Sequence, residues 1–231
     1  AINGKMLSQQ EILEKVDLDT YKKFLLHTPK LGTIGCFLSH IKTWQTFLDS
    51  NYKFAVIFED DVSFDPQKLR FTIQNLMKNS NLWDITSFEL SHNGTPLTIK
   101  SFQDGQKLVV YLTNISHTGA YIINRKAARN MLEKALPIKM PIDHYFTRAW
   151  EFNLKFTGIE NPRLVHQTFG ESDIASSNRV DNNEKKNIFL LVYRAVYKLQ
   201  TYTIRFLYNV KIYITIIHKN LSPLLSLKNG G

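Results

Sequence analysis

The most informative stretch for the fold is Phe54-Ala55-Val56-Ile57-Phe58-Glu59-Asp60-Asp61-Val62, where an uninterrupted apolar run ends in three carboxylates. Such a run predicts a strand that is buried on both faces in the middle of an α/β sheet. Three acids at its end cost free energy unless a cation neutralises them. Because open α/β sheets bind ligands beyond the carboxyl ends of their strands, we expect a ligand site here.

The acidic block also indicates which ligand it prefers. Alternation along the strand predicts Glu59 and Asp61 on one side of the chain and Asp60 on the other. Two neighbouring carboxylates suit a hard, oxygen-preferring ion such as Mg²⁺ or Mn²⁺. The alternative is a solvated acidic turn ahead of Pro66.

Composition limits the classes of protein that remain. A chain of 231 residues is long enough for one sizeable core, or for one domain with an appendage. The single cysteine, Cys36, excludes an intramolecular disulfide and a cysteine-based zinc site, and it suits a reducing compartment. Neither a signal peptide nor a membrane-spanning run of apolar residues is expected from the sequence.

The positive charge is concentrated at the C-terminus. Residues 184–231 contain eight Lys or Arg and one acid, a net +7, so residues 1–183 carry +2 of the total of +9. A nearly balanced body with a basic tail predicts two parts with different roles. We therefore expect a domain over residues 1–180 and a helical tail over 184–231.

Strand and helix patterns alternate through the body. Helices are predicted at 8–15, 33–49, 66–79, 124–135 and 141–152, and strands at 54–58, 83–90 and 118–123, with a meander of short strands over 95–111. Repeated alternation of this kind favours a mostly parallel central sheet with flanking helices.

The tail is predicted to be an amphipathic helix. Its polar and basic residues, which include Arg194, Lys198, Arg205 and Asn209, fall near one helical face, and aliphatic and aromatic residues fill the rest. That pattern is typical of a helix lying on an anionic membrane surface. A terminal helix packed on the domain, or on a second subunit, is the equal alternative. Nucleic acid binding is disfavoured because the basic residues are not clustered.

Three segments together resemble glycosyltransferase family 25, of the lipooligosaccharide galactosyltransferase type. They are GCFLSH at 35–40 followed by Trp44, FEDDV at 58–62, and TGAYII at 118–123 with Pro141-Ile142-Asp143 downstream. The segments PRLVHQ at 162–167 and SDI at 172–174 are also similar to the family. The resemblance covers about residues 1–180, and the order and spacing of its segments make it specific.

The resemblance implies a GT-A-like nucleotide-sugar transferase fold and a metal-dependent, inverting transfer. The implied donor is a UDP-sugar, with UDP-galactose first, and the implied acceptor is a lipooligosaccharide. The cofactor would be Mn²⁺ or Mg²⁺, and the protein would lie at the cytoplasmic face of a bacterial inner membrane as a peripheral enzyme. The sequence indicates neither the linkage nor the oligomeric state.

Roles for individual residues follow from the resemblance. Asp143 is the predicted general base, with a first-turn helix carboxylate as the alternative. Glu59 and Asp61 are the predicted metal ligands. His166 is either a third metal ligand or a surface residue. Predicted substrate contacts are Ser39, His40, Asp60, Asn114 and His117. For Ser39 and His40 the alternative is a structural role in the helix, and for Asn114 and His117 it is an ordinary loop position.

One departure from the family concerns the first segment of the chain. The family usually begins with a further strand that holds the uracil, and residues 1–5 resemble the segment directly after that strand. The expectation is therefore that this strand is missing, which leaves a non-catalytic carbohydrate- or membrane-binding module as the alternative function. A phosphoryl transferase with a P-loop is disfavoured because the sequence contains no G-x-x-x-x-G-K-[ST] motif.

Overall fold

The computed structural model describes residues 1–89, 91–92, 94–116, 118–160, 164–167, 179–180 and 188–228. Side chains are described within these ranges except at 91–92, 167 and 219–228. None of the described helices is long and apolar enough to cross a bilayer.

The described helices follow the sequence closely. They are α1 (Gln9–Lys15), α2 (Leu18–Leu25), α3 (Leu31–Asp49), α4 (Pro66–Lys78), α5 (Arg125–Leu132), α6 (Ile142–Phe146), α7 (Ala149–Phe152) and α8 (Ile188–Lys228). The predicted helix starts are confirmed, because Ser8, Asp65 and Asn124 each accept backbone N–H bonds at the first turn of α1, α4 and α5. The single helix predicted over 141–152 is wrong, since the chain leaves helical geometry at Thr147 and Arg148 and forms α6 and α7.

The described strands form one main sheet and two short ribbons. They are β1 (Phe54–Phe58), β2 (Val62–Phe64), β3 (Ile85–Ser87), β4 (Ser91–His92), β5 (Pro96–Ser101), β6 (Lys107–Tyr111), β7 (Ile115–Ser116), β8 (Ala120–Asn124), β9 (Phe156–Glu160) and β10 (Val165–Gln167). The main sheet has the order β1-β8-β3-β9-β6-β5, while β10 pairs with β2 and β4 pairs with β7.

The prediction of a mostly parallel sheet is wrong. Within the described strands, the β3–β9 pair is parallel and the other pairs of the main sheet are antiparallel. Strand–helix alternation correctly indicates that β1 and β3 run in the same direction, joined through α4. However, β8 enters between them from the opposite direction, and local patterns in the sequence cannot reveal an insertion of that kind.

The apolar strand that opened the sequence argument lies at the edge of the sheet, so its predicted central position is wrong as well. Its two faces still contact the two halves of the core. Ala55 and Ile57 pack with the helices α3 and α5–α7, and Phe54 and Val56 pack with the α4 side. Its last residue, Phe58, is 39% exposed and stacks on Phe64.

The C-terminal helix α8 packs against the domain with a mixed set of polar and apolar side chains. Arg205 and Ile216 are buried, and Asn209 donates a hydrogen bond from Nδ2 to the carbonyl of Tyr111 at 2.7 Å. Leu199 and Leu207 are instead exposed, at 68% and 61%, as is Lys198. The predicted helix is therefore present, but the predicted polar stripe is divided between the domain and the surface.

Candidate active site

The sheet brings three chain segments to one edge. Because β1 and β3 both run antiparallel to β8, their carboxyl ends lie beside the start of β8. Glu59 follows β1, Glu89 lies two residues after β3, and Gly119 precedes β8. The backbone N–H of Glu59 donates to the carbonyl of Gly119 at 2.7 Å, which fixes the first acid of the acidic block at this edge.

The space around position 119 favours glycine. A Cβ atom at position 119 would lie 3.1 Å from Oε2 of Glu89 and 3.1 Å from Cγ1 of Val62. Any larger residue would therefore displace the buried Glu89 side chain or the start of β2. The glycine of the 118–123 segment thus lets a second carboxylate approach the edge that carries Glu59.

Glu59 is held by two side-chain donors. Its Oε1 accepts a hydrogen bond from the Thr118 hydroxyl at 2.7 Å and lies 3.2 Å from Nε2 of His40. The carboxylate is half-buried, with a side-chain exposure of 26%. These two contacts on one oxygen restrict the orientation of the carboxylate.

Behind His40, a buried hydrogen-bond chain fixes the orientation of the imidazole. The Tyr121 hydroxyl accepts a hydrogen bond from Nε1 of Trp44 at 2.8 Å and lies 2.8 Å from Nδ1 of His40. Burial raises the pKa of Tyr121 well above its ordinary value, so this hydroxyl keeps its proton. His40 thus contacts Tyr121 through Nδ1 and Glu59 through Nε2.

A cleft of about 390 Å³ opens beside Glu59, and Asp143 also lines it. Asp143 is the second residue of α6 and accepts the backbone N–H of His144 on Oδ1 at 2.9 Å. The cleft places the two predicted acids, one from β1 and one from α6, on the walls of the same space.

The lining of this cleft also includes two cationic groups that were not predicted from the sequence. Lys30 and Arg179 both line it, and their backbones form an antiparallel bridge. Arg179 also donates from Nη1 to the carbonyl of Thr28 at 2.9 Å. A space lined by both carboxylates and cations suits a ligand that carries both hydroxyl groups and negative charge.

Cys36 lies in the same region, and its thiol is unreactive. Its Sγ, a ring nitrogen of His40 and a carboxylate oxygen of Glu59 lie within 4.8 Å of one another. Burial, together with the negative charges of Glu59 and Asp143, raises the pKa of the Cys36 thiol to about 12. The thiol is therefore protonated at neutral pH, and the ionised oxygens of the acidic block are the better ligands for a hard cation.

The remaining members of the acidic block leave the strand geometry. Asp60 and Asp61 form a turn between β1 and β2, so the alternation that would group Asp61 with Glu59 ends at Phe58. Asp60 is exposed and Asp61 is half-buried. His166 is exposed on β10, directly opposite Ser63 of β2 in the register, and so belongs to the ribbon that comes after the acidic turn.

Ser39 connects two segments and lies outside the Glu59 cleft. Its hydroxyl accepts the N–H of Ile2 at 2.7 Å and donates to the carbonyl of Gly35, one helical turn earlier, at 2.8 Å. Gly35 permits this contact because a Cβ atom there would lie 2.5 Å from the backbone nitrogen of Gly4. Two residues of the 35–40 segment thus dock residues 2–4 onto α3.

The two predicted acceptor contacts fall elsewhere. Asn114 lines a different, larger cleft beside α8, where its Oδ1 accepts a hydrogen bond from Nη1 of Arg205 at 2.7 Å. His117 lies outside the described residues.

Several residues at the candidate site were not predicted from the sequence. Glu89 had a visible signal, since a carboxylate follows a predicted strand there as Glu59 does, but it stands alone rather than in a block. Thr118 and Tyr121 belong to a recognised segment, yet nothing in their spacing shows that they contact residues of α3 and β1. Lys30 and Arg179 had no signal, because they are far apart in the chain.

Comparison with known proteins adds an independent line of evidence. The family model described as Glycosyltransferase family 25 (LPS biosynthesis protein) matches residues 1–146. A Glycosyltransferase 25 family member of Aedes aegypti is 27% identical over 218 residues, covering 80% of this chain and 34% of that protein. Procollagen galactosyltransferase 2 of Homo sapiens is 33% identical over 189 residues, covering 73% and 30% respectively. Procollagen galactosyltransferase 1 of Danio rerio is 26% identical over 194 residues, covering 75% and 32%. The chain thus spans about a third of the length of these relatives.

Proposed function

The chain belongs to glycosyltransferase family 25, and on that premise we propose that it transfers a hexose from a UDP-sugar to a saccharide acceptor. The observation that carries the proposal is the cleft lined by Glu59, Asp143, Lys30 and Arg179. Galactose is the proposed sugar, because two of the relatives are named as procollagen galactosyltransferases.

In the proposed reaction, an acceptor hydroxyl attacks the anomeric carbon of the donor from the side opposite the diphosphate. A carbon–oxygen bond forms to the acceptor, the bond to UDP breaks with its electron pair leaving on UDP, and the anomeric configuration inverts. Asp143 takes the proton of the hydroxyl as general base. Asp143 lies on the short helix α6, and its Oδ1 accepts a backbone N–H, which restricts the orientation of the carboxylate.

The negative charge that develops on the departing UDP needs compensation. Lys30 and Arg179 line the cleft and are suited to this task. The oxygen ligands of the acidic block also suit Mn²⁺ or Mg²⁺, and Glu59 and Asp61 would hold the ion, with His166 as a third ligand. When bound, such an ion offsets charge on the diphosphate. The chain from Trp44 through Tyr121 and His40 would keep Glu59 oriented for this.

Binding of UDP tests the nucleotide-sugar site directly. Calorimetric titration of UDP is expected to show binding that depends on Mn²⁺ and is lost in Asp61→Ala, because that change removes a proposed metal ligand. Asp49→Asn, an exposed acid at the end of α3, serves as the control and should bind UDP as the unmodified protein does.

Absence of UDP binding under every condition would contradict the proposal. If acceptor saccharides still bound in that case, the result would favour the alternative, a carbohydrate-binding module that performs no transfer. Binding of UDP that is unaffected by Mn²⁺ and by Asp61→Ala would remove the metal from the proposal while keeping the donor.

The proposed acceptor is a lipid-linked saccharide of the lipooligosaccharide type, and α8 supplies the supporting observation. Many apolar side chains on this helix are exposed, among them Phe189, Leu199 and Leu207 at 78%, 68% and 61%. Lys198 and Lys211 are exposed beside them. An apolar surface flanked by cations suits the interface of an anionic membrane. Location at the cytoplasmic face of a bacterial inner membrane stays a prediction.

Replacement of Leu199 by glutamate is expected to weaken binding to vesicles of anionic phospholipid by about tenfold. The change removes apolar area from the contact and adds a negative charge next to Lys198. Sedimentation with vesicles measures the effect, and Leu13→Glu, a matched change at a leucine that is 61% exposed on α1, is the control. Equal binding by both variants would show that the apolar side of α8 does not contact the bilayer.

A further inference from the structure

A second cleft, of about 770 Å³, separates α8 from the loop between β6 and β7. Its walls are formed by residues 112–116 on one side and 202–207 on the other, and they include Thr113, Asn114, Ser116, Tyr202, Thr203 and Arg205. The lining thus combines hydroxyl and amide groups with one cationic side chain. The proposed transfer reaction does not use this space.

Arg205 is an unusual residue for the wall of a cleft. It is 5% exposed, and its guanidinium carbon lies 5.2 Å from the ring centre of Trp150 and 5.9 Å from that of Tyr202. Nη1 donates to Oδ1 of Asn114, whereas Nε has no hydrogen-bond partner among the described residues. Burial and the neighbouring charge of Arg148 lower the pKa of Arg205 to about 10, so the side chain is still charged at neutral pH.

The charge of Arg205 is not balanced within the described part of the chain. Its neighbour Arg148 forms an ion pair with Glu151 and donates from Nη1 to the Tyr197 hydroxyl at 2.8 Å. Arg205 forms no ion pair with any described carboxylate; its described hydrogen-bond acceptor is the neutral amide of Asn114. Buried cations are normally paired with an anion, since an unpaired charge in a low-dielectric site is costly.

We propose that this cleft binds an anionic group, a phosphate or a carboxylate, carried by the saccharide that accepts the hexose. Arg205 supplies the cation, because a guanidinium offers several N–H donors in a geometry that matches both groups. Asn114, with a donor Nδ2 beside the acceptor Oδ1 that Arg205 occupies, orients the ligand. The identity of the ligand as the acceptor rests on the proposed function, whereas the binding of an anion does not.

The position of the cleft supports this assignment. Asn114 is four residues before Thr118, which contacts Glu59, and four residues of fully extended chain span at most about 14 Å. That upper limit, which applies to the backbone between Asn114 and Thr118, is within the length of a short oligosaccharide extending between the two clefts. In that arrangement the charged group anchors the acceptor in one cleft while a hydroxyl of another sugar residue enters the other.

Calorimetric titration of galactose 6-phosphate and glucuronate, with neutral galactose for comparison, tests the inference. Both charged sugars are expected to bind to the unmodified protein more tightly than galactose. Arg205→Gln should weaken their binding at least about tenfold, the equivalent of about one charge-assisted hydrogen bond. Arg70→Gln removes the same charge from an exposed position of α4 and should leave the affinity unchanged.

A second variant keeps the test decisive if Arg205→Gln does not fold. Asn114→Asp places a carboxylate where the amide oxygen lies 2.7 Å from Nη1 of Arg205, with almost no change in shape. This internal anion should compete with the ligand, so the charged sugars should no longer bind while the melting temperature is kept or raised. Unchanged binding in Asn114→Asp would overturn the inference.

Other arms separate the possible sources of the anion. Equal weakening in Arg205→Gln and Arg70→Gln, or binding of charged sugars no tighter than galactose, would overturn the proposal. Displacement of galactose 6-phosphate by saturating UDP would assign the cleft to the donor and overturn the acceptor assignment. If anionic vesicles respond to Asn114→Asp but the charged sugars do not bind, the ligand is a lipid headgroup and the saccharide assignment is wrong. Because UDP binding in the presence of Mn²⁺ is measured separately, failure here is distinguishable from failure of the proposed function.

Discussion

Replacement of Asp143 by asparagine is expected to lower the rate of hexose transfer by about 10²–10⁴-fold, the usual contribution of a general base. The amide has the same shape and can still accept the backbone N–H of His144, but it cannot take a proton from the acceptor hydroxyl. Single-turnover measurement of transfer with a UDP-hexose and a saturating acceptor isolates this step from binding.

The Asp143 prediction carries its own controls. Affinity for UDP and the melting temperature should be unchanged in Asp143→Asn, because the residue is placed at the acceptor side of the reaction and its backbone contact is preserved. Asp49→Asn should transfer at the full rate. Turnover by Asp143→Asn at the rate of the unmodified protein would show that Asp143 is a first-turn helix carboxylate without a chemical role.

Replacement of Tyr121 by phenylalanine is expected to destabilise the protein by about 2–6 kcal/mol. The ring is retained, but the change leaves Nε1 of Trp44 and Nδ1 of His40 buried without the partner they share, at about 1–3 kcal/mol for each. Denaturant unfolding measures the free energy of unfolding, and an unchanged slope against denaturant confirms that the same surface is exposed on unfolding.

Tyr145 offers a matched control for Tyr121. It is also buried, and its hydroxyl donates to the carbonyl of Met131, which additionally accepts the N–H of Lys134 at 3.3 Å. Because that carbonyl keeps a partner, Tyr145→Phe should cost about 0.5–1.5 kcal/mol. Equal costs for the two substitutions would show that the Trp44–Tyr121–His40 chain contributes nothing beyond a single hydrogen bond.

Much of the local structure could be predicted because the forces that form it are local. Ser8, Asp65 and Asn124 cap helices through bonds to residues two or three positions away, so their roles are visible in the sequence. The spacing of apolar residues likewise predicted α3, whose buried side includes Ile34, Phe37 and Trp44. The helix over 141–152 was mistaken because helical spacing does not show where tertiary contacts interrupt the backbone.

The candidate site was predicted in part for a similar reason. Glu59, His40 and Asp143 belong to segments whose residue types are distinctive, so the sequence named them. The contacts of Thr118, Tyr121 and Glu89 at the site depend instead on the order of the strands in the sheet. That choice is made by the packing of the whole sheet, in which β8 lies between β1 and β3.

The family, the α/β class and the two acids of the cleft are visible in the sequence, because they depend on distinctive local residue types. The antiparallel arrangement of the sheet, the edge position of β1 and the side on which α8 packs depend instead on tertiary contacts. Hydrophobic periodicity reports that a residue is buried, but not what covers it. In α8, Arg205 and Asn209 find partners on the domain, to which the buried Ile216 also packs, while Leu199 and Leu207 face outward.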